Sequence, residues 1–543
     1  MFEIGKDIMH RGIGMGTDTS ARSRLRIIHT VFACLFIVFI VRTVMLGVSG
    51  TNRARIGHGA DAWVATRADI VDRNGEILAK NTVSGHIVLR PPLVKDRDAV
   101  AVFIHNVVPE KSISDVLADI NSGKKFIYIK KLASDMQRAE VKYAKIPGVS
   151  VDETEWRRYP KRRLFSHIVG FVSKECDMQG LEGVELNANK YLRENKDPLV
   201  LSVDSRIQSV MYQELSAAMQ RFHAKAAMGM IMNARTGEML AMVSLPDFDP
   251  ENVEFDPVAN RMFHPIRGVF EMGSIFKIFN TAMAAENGIG FNREYYIAKP
   301  YQILNKNGRV SATIGDHSSF KPPRPNLSVA EILQHSCNVG SVQIALDLPP
   351  GAQPDFFARI HMNVPLDLEF GKTEKPLMPY KWGPVEKATV AFGHGISVTP
   401  MHVLLGVNSM ANGGIYVWPT IYKRGVGEIK GMRVLNGEIS ARLREIMFKI
   451  AEEGSVRKAR IAGINIGGKT ATAEKRVNGI IDKRKNLTAA IFAFPIESPQ
   501  YTMLIVLDEP QGTAESYGLR TAAWNSVPTA GAILDSVLPM LFK

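Results

Sequence analysis

One segment of this chain is apolar along almost its whole length, and it divides everything else into two sides. Residues 27–41 read IIHTVFACLFIVFIV, and after Arg42 the run continues TVMLGV, interrupted only by His29, Arg42 and a few threonines and glycines. About 20 such residues in a helix match the ~30 Å hydrocarbon core of a bilayer. Arg22, Arg24 and Arg26 lie just before the segment, and clustered positive charge marks the cytoplasmic flank. The expectation is a cytoplasmic tail over residues 1–26, a single transmembrane anchor over 27–48, and the rest of the chain outside. Arg42 would snorkel to the interface or face a partner helix. A cleaved signal peptide is the competing expectation, but the segment is long, starts late and lacks an A-x-A site.

That topology bears on a tempting match. Residues 463–472, GINIGGKTAT, fit the phosphate-loop pattern G-x-x-x-x-G-K-[ST], and YTMLIVLDE at 501–509 offers acids where such an enzyme holds magnesium. Outside a bacterial membrane there is essentially no ATP or GTP. About 75 residues follow Lys469, too few for the strand-helix units of a doubly wound sheet. The segment after Lys469 also runs to an Asn-Gly turn within ten residues instead of opening a helix. A nucleotide-binding loop is therefore disfavoured.

The outer part is long enough for two or three domains. The basic balance of the whole chain, 67 Lys and Arg against 54 Asp and Glu, does not choose among nucleic acid, an anionic membrane and a basic soluble face. The basic run RRYPKRR at 157–163 lacks interleaved aromatics of the kind a nucleic-acid groove uses; a solvated edge or loop is expected there, and no nucleic-acid partner. Cys34, Cys176 and Cys337 are far apart and odd in number, so neither a zinc site nor a disulfide framework is expected.

After a polar linker at 49–64, ATRADIVDRNGEILAKN alternates around Asn74-Gly75, a hairpin signal. A boundary falls near 195–225, where a short strand passes into an amphipathic helix with Val210, Leu215 and Met219 among its apolar positions. From Ala226 two apolar strands flank the turn Ala234-Arg-Thr-Gly237, helices are expected at 275–285, 329–346 and 400–410, and strands return in the last 80 residues before a closing helix. Strands at both ends with helices between predict an α+β domain built on one antiparallel sheet.

Three short patterns carry chemistry. Ser274-Ile-Phe-Lys277 is S-x-x-K; on a helix, positions i and i+3 share a face, so Lys277 reaches the Ser274 hydroxyl and serves as a base if burial lowers its pKa. The same spacing occurs at Ser122/Lys125, Ser318/Lys321 and Ser455/Lys458, but only Ser274 precedes a strongly apolar helix. Ser336-Cys-Asn338 gives S-x-N, a hydroxyl that relays a proton and an amide that holds a peptide carbonyl; a polar helix end is the ordinary alternative. In Lys469-Thr-Ala-Thr472, strand alternation puts Thr470 and Thr472 on one face and Lys469 and Ala471 on the other.

In this order the three patterns form the active-site set of serine penicillin-binding enzymes. The chain resembles a class B penicillin-binding protein along nearly its whole length: the RADIVDRNGEILAKN opening, GLEGVE at 180–185, LSVDSRIQ at 201–208, TGEMLAMVSLPDFDP, and FGHGISVTPMH at 392–402. FEMGSIFK and GHGISVTP look most like the septal, FtsI-type branch. The resemblance implies a pedestal domain over 49–200, related to the penicillin-binding protein dimerisation domain, and a transpeptidase domain with the serine β-lactamase-like fold over 201–543. It implies D,D-transpeptidation of peptidoglycan stem peptides during cell division, inhibition by β-lactams, no metal and no cofactor. The place is the bacterial inner membrane with the catalytic domain in the periplasm, beside a glycan-polymerising membrane partner and other division proteins.

By motif position, the resemblance makes Ser274 the nucleophile, Lys277 its base, Ser336 the proton relay and Asn338 the holder of the donor peptide. Lys469 would tune Ser336, and Thr470 and Thr472 would bind the terminal carboxylate. The backbone N–H groups of Ser274 and Thr472 would form the oxyanion hole. The family usually has glycine where Ala471 stands. If glycine serves only close packing, the methyl costs little; if the backbone needs a conformation disfavoured for alanine, the rate falls and the protein is a catalytically weak penicillin-binding scaffold or sensor.

Overall fold

A computed structural model describes residues 67–543 except 175–177, 318–319, 426, 478–479 and 543, together with positions 29, 32 and 34–37; side chains at 476–477, 480–481 and 483 are also outside the description. The expected tail, anchor and linker thus lie outside the described residues apart from those six positions. Among the described residues no helix is long and apolar enough to cross a membrane.

The first sheet comprises β1 (Ile70–Val71), β2 (Ile77–Leu89), β3 (Ile127–Lys130), β4 (Val149–Arg158) and β5 (Leu199–Val200), with β2 pairing β1, β3 and β4. The expected hairpin joins β1 to β2. Asp72 accepts the N–H groups of Asn74 and Glu76 at 2.8 and 2.9 Å, and Gly75 takes the left-handed φ of +88° that the turn needs. Helices Arg97–Val107, Ile113–Asn121 and Asp135–Ala144 cover the far end of β2, where Ile87, Leu89, Val100, Ile104 and Val116 form a separate small core.

Of the basic run at 157–163, Arg158, Arg162 and Arg163 are exposed, as a solvated edge or loop requires, and Arg157 is not. Arg157 is fully buried and donates to Glu185 at 2.7 Å. Arg158 pairs with Glu251, Arg162 with Asp249, and Arg163 with Asp247 and Asp256. The acids paired with Arg158, Arg162 and Arg163 lie 84–93 residues downstream, out of reach of any local pattern, and they tie the run to the segment after the next hairpin.

That hairpin is β6 (Ala226–Asn233) and β7 (Met239–Leu245), preceded by α1 (Ser205–Arg221). The elements that follow are α2 (Phe276–Glu286), β8 (Tyr301–Leu304), β9 (Val310–Ile314), α3 (Val329–Gln334), α4 (Asn338–Asp347), α5 (Pro400–Ala411), α6 (Gly437–Glu453), β10 (Gly467–Val477), β11 (Ile480–Phe494), β12 (Tyr501–Asp508) and α7 (Ser526–Leu541). Strands from both ends of the domain make one antiparallel sheet ordered β10-β11-β12-β6-β7, as the α+β expectation requires. Its middle strands are buried on both faces. Helices α1 and α7 cover one face and α5 the other, while α2 is buried almost all round, the mark of a central helix. Strand β10 is the sheet's edge, and it is the edge that faces the turn before α2.

One expected helix is broken. Residues 329–346 form α3 and α4 with a turn between them, because Ser336 adopts a left-handed φ of +61°. Cys337 then caps α4, its Sγ accepting the Gly340 N–H at 3.3 Å. Hydrophobic periodicity carries through such a break without registering it.

Candidate active site

Three elements meet at the sheet edge. Gly273, with φ +50°, turns the chain into the short 3-10 segment Gly273–Ile275, which feeds α2 and leaves Ser274 partly accessible. One helical turn on, Lys277 is 1% exposed. Its Nζ lies 3.0 Å from Ser274 Oγ, 2.6 Å from the Ser336 carbonyl oxygen, 2.6 Å from Asn338 Oδ1 and 3.2 Å from Ser336 Oγ. From β10, fully buried Lys469 donates to the same Ser336 Oγ at 2.9 Å. Ser274, Lys277, Ser336, Asn338 and Lys469 are thus one cluster, assembled from segments up to 195 positions apart.

The partners of Lys277 define its working form. Two are carbonyl-type oxygens that only accept. A neutral amine has two hydrogens and one lone pair, so with its hydrogens on Ser336 O and Asn338 Oδ1 the lone pair is left for the Ser274 hydroxyl. Burial lowers the Lys277 pKa to about 8, against the opposing pull of Asp316 and Cys337. Lys469 is lowered well below its usual range, by burial first and by the charge of Lys277 second. Attack by Ser274 needs Lys277 unprotonated, so acylation of Ser274 is expected to rise with pH through a midpoint near 8. Acylation rates measured from pH 6 to 10 check this; a rate that falls over that range refutes it.

Thr470 and Thr472 occupy β10 on the face opposite Lys469, as strand alternation predicts, and both are half-buried. Thr470 Oγ1 donates to Ser455 Oγ at 2.7 Å, and Thr472 Oγ1 accepts the Ala522 N–H at 3.2 Å. Each hydroxyl unit keeps a hydrogen to give, since a hydroxyl has one donor and two lone pairs. The Thr472 carbonyl oxygen lies 3.5 Å from where a Cβ on Gly273 would stand. In an antiparallel strand the N–H and C=O of one residue point to the same side, so the Thr472 N–H also faces the nucleophile turn.

The alternative serine-lysine spacings do not assemble. Lys458 lies over the Trp524 ring at 3.2 Å, away from a base's position at Ser455. Ser122 is exposed at a helix end and bonds the Asp119 carbonyl. Ser318 lies outside the described residues.

Ala471 resolves in favour of packing. It is 3% exposed, stays in register opposite Ala489, and has no positive φ. Its Cβ stands 3.5 Å from the Cβ position of Gly273, an ordinary contact. Ala471→Gly is therefore expected to change the acylation rate less than about threefold while lowering stability by about 0.5–1 kcal/mol, the cost of glycine inside a strand; a tenfold or larger gain in rate would show that the methyl does hold catalysis back.

Three contributors escaped the sequence reading. Asp316 accepts the Asn338 N–H and, at 3.2 Å, the Cys337 thiol. Ser455 joins Thr470. Gly393, at φ +78°, packs so closely that a Cβ would come 2.2 Å from the Gly273 carbonyl oxygen, which binds the 392–395 segment to the nucleophile turn. The Gly-His-Gly spacing at 393–395 is the one local signal for the last; nothing local marks the others. Beside this turn a cavity of about 260 Å³ runs along β10, lined by Phe270, Glu271, Ser397, Ala473 and Glu474 among others.

Comparison with known proteins agrees with the site. The family model of the penicillin binding protein transpeptidase domain matches residues 227–528, and that of the penicillin-binding protein dimerisation domain matches 63–214. A protein of Caulobacter vibrioides named probable peptidoglycan D,D-transpeptidase FtsI is 30% identical over 508 residues, covering 90% of this chain and 84% of its own. The peptidoglycan D,D-transpeptidase FtsI of Escherichia coli K12 is 28% identical over 510 residues, covering 87% and 83%. The crystal structure of penicillin binding protein 2X from Streptococcus thermophilus superposes with a TM-score of 0.71 at 18% identity, over 88% of this chain and 79% of that one, which shows the shared fold.

Proposed function

We propose that this chain, which belongs to the class B penicillin-binding proteins, is a peptidoglycan D,D-transpeptidase that cross-links stem peptides through an acyl-enzyme on Ser274 during cell division. One observation carries the reading: an unbroken chain of polar atoms, Ser274 Oγ, Lys277 Nζ, Ser336 Oγ and Lys469 Nζ, with steps of 3.0, 3.2 and 2.9 Å.

Ser274 Oγ attacks the carbonyl between the two terminal D-alanines, and its proton passes to the Lys277 lone pair. The oxygen charge that develops is met by the N–H groups of Ser274 and Thr472. Collapse breaks the C–N bond; the leaving D-alanine nitrogen takes its proton from Ser336 Oγ, which is replenished from Lys277 and kept polarised by Lys469. Asn338 holds the donor peptide, and Thr470, with Ser455, and Thr472 give hydrogens to the terminal carboxylate. An acceptor amine then displaces Ser274. A β-lactam ring presents the same carbonyl beside the same carboxylate and is trapped at the ester.

The test is to incubate the full-length protein in detergent with fluorescent penicillin and, separately, with a D-Ala-D-Ala stem peptide and an amine acceptor. A single adduct on the peptide containing Ser274, with release of D-alanine, is expected. No adduct, or one elsewhere, ends the reading. The scaffold alternative rested on Ala471, whose backbone is unstrained. The anchor at 27–48, a periplasmic catalytic domain and a glycan-polymerising partner belong to the same proposal, supported by the apolar run and its arginine flank. Recovery of the intact chain in the soluble fraction of disrupted cells would remove them.

A further inference from the structure

The turn at 336–338 is the least self-supporting part of the site. Ser336 carries a Cβ in the left-handed region, where residues other than glycine are disfavoured, and such a conformation persists only when its surroundings fix it. On the inner side Lys277 Nζ gathers Ser336 O, Ser336 Oγ and Asn338 Oδ1. On the outer side the support comes from 21–23 residues upstream. Asp316, just past β9, accepts the Asn338 N–H on Oδ1 and the Cys337 S–H on Oδ2, and Gly315 O accepts Asn338 Nδ2 at 3.3 Å.

We propose that Asp316 is a positioning residue for the acylation of Ser274, bracing the Ser336–Asn338 turn from outside and presenting a negative charge to Lys277 across it. This deepens the transpeptidase reading and rests on it. Two independent contacts fix the carboxylate. Burial pushes the Cys337 thiol up to about 12, so the thiol keeps its hydrogen and gives it to Asp316, while its lone pairs cap α4 through Gly340. The middle residue of the S-x-N pattern, which looks like filler in sequence, is the link between brace and helix. The charged and titratable groups facing Lys277 are Asp316 and Cys337, which favour its protonated form, together with Lys469 and His394, each of whose titration its charge depresses. Asp316 is the carboxylate that acts on Lys277.

The charge gives the test a readout that a purely mechanical brace would not move. Second-order rate constants for penicillin acylation of the full-length protein are measured from pH 5.5 to 10. Asp316→Asn keeps one acceptor for Asn338 and loses the charge. Its plateau is expected to fall about tenfold, and its midpoint to move about one unit to lower pH, because removing a facing unit charge from a buried amine shifts its titration by about that much. Asp316→Glu, which keeps the charge in a displaced position, is expected to lose plateau rate with its midpoint nearly unmoved. Cys337→Ala, which keeps Asp316 itself, should also lower the plateau while moving the midpoint less than Asp316→Asn does, since Cys337 acts on Lys277 more weakly than Asp316.

An Asp316→Asn protein with the wild-type melting temperature, plateau and midpoint overturns the proposal. So does an Asp316→Glu midpoint displaced as far as that of Asp316→Asn, which also covers the case in which Asp316→Asn does not fold. A wild-type protein that forms no adduct at Ser274 is a different result, and it removes the transpeptidase reading instead.

Discussion

Substituting Ser274 by alanine is expected to abolish the covalent penicillin adduct, and substituting Lys277 by methionine to slow its formation by about 10²–10⁴-fold, the usual worth of a positioned general base. The first follows from connectivity: no other hydroxyl in the cluster lies at the start of the Lys277 relay, since Ser336 Oγ already sits between the Lys277 and Lys469 side chains. The second follows from the lone pair. Methionine fills a similar buried volume without a base, so the cavity cost is small, but Ser274 then has no acceptor, and Asn338 Oδ1 and Ser336 O lose their donor.

Lys277→Arg sharpens the test. Arginine restores the charge and the donors but cannot accept a proton in a protein. If Lys277 acts as a base, the arginine variant is as slow as the methionine one. If the side chain serves only to hold the 336–338 turn, arginine recovers part of the rate. Time courses of fluorescent labelling, beside unfolding curves for each variant, separate the two; labelling of Lys277→Arg within tenfold of wild type would refute the base.

What the sequence disclosed of this site, and what it hid, follows from the range of the interactions. Ser274 and Lys277 are legible because a helix turn joins them, and Lys469 against Thr470 because a strand alternates. The α+β organisation is legible for the same reason: β6, β7, β12 and the 487–494 half of β11 are apolar runs bounded by turn residues. Asp316 is invisible, since a loop carboxylate carries no period and its partners lie 21 and 22 positions away. The break between α3 and α4 was missed because Val329, Ile332, Leu333, Val339 and Val342 remain apolar on both sides of it. The phosphate-loop pattern at 463–472 failed as soon as geometry applied: Lys469 lies inside a strand paired with β11, not at a loop opening a helix.

The other large effect concerns the N-terminal region that matches the dimerisation domain. Glu185→Gln is expected to destabilise the protein by about 3–5 kcal/mol, the cost of removing one partner from a buried ion pair. Glu185 is 0% exposed and lies between Arg67, at 4%, and Arg157, at 0%. Arg157 Nε reaches one carboxylate oxygen at 2.7 Å and Arg67 Nε the other. A neutral amide would leave two guanidinium groups buried around no negative charge, and its own N–H hydrogens would meet donors. The guanidinium groups also serve the backbone: Arg157 donates to Arg67 O at 3.2 Å and Ala68 O at 2.9 Å, and Arg67 to Asn189 Oδ1 at 2.6 Å. Those bonds tie the strand entering β1, the end of β4 and the 178–189 segment into one knot. An apolar triple replacement, Arg67→Met, Arg157→Met and Glu185→Leu, would remove the charge problem yet strand the carbonyls. It is therefore expected to regain only part of the loss, unlike a triad whose members bond only one another. Chemical denaturation of the full-length protein measures both. A Glu185→Gln variant within 1 kcal/mol of wild type would mean that water or a proton reaches the knot, and the charge there is not confined as its burial implies.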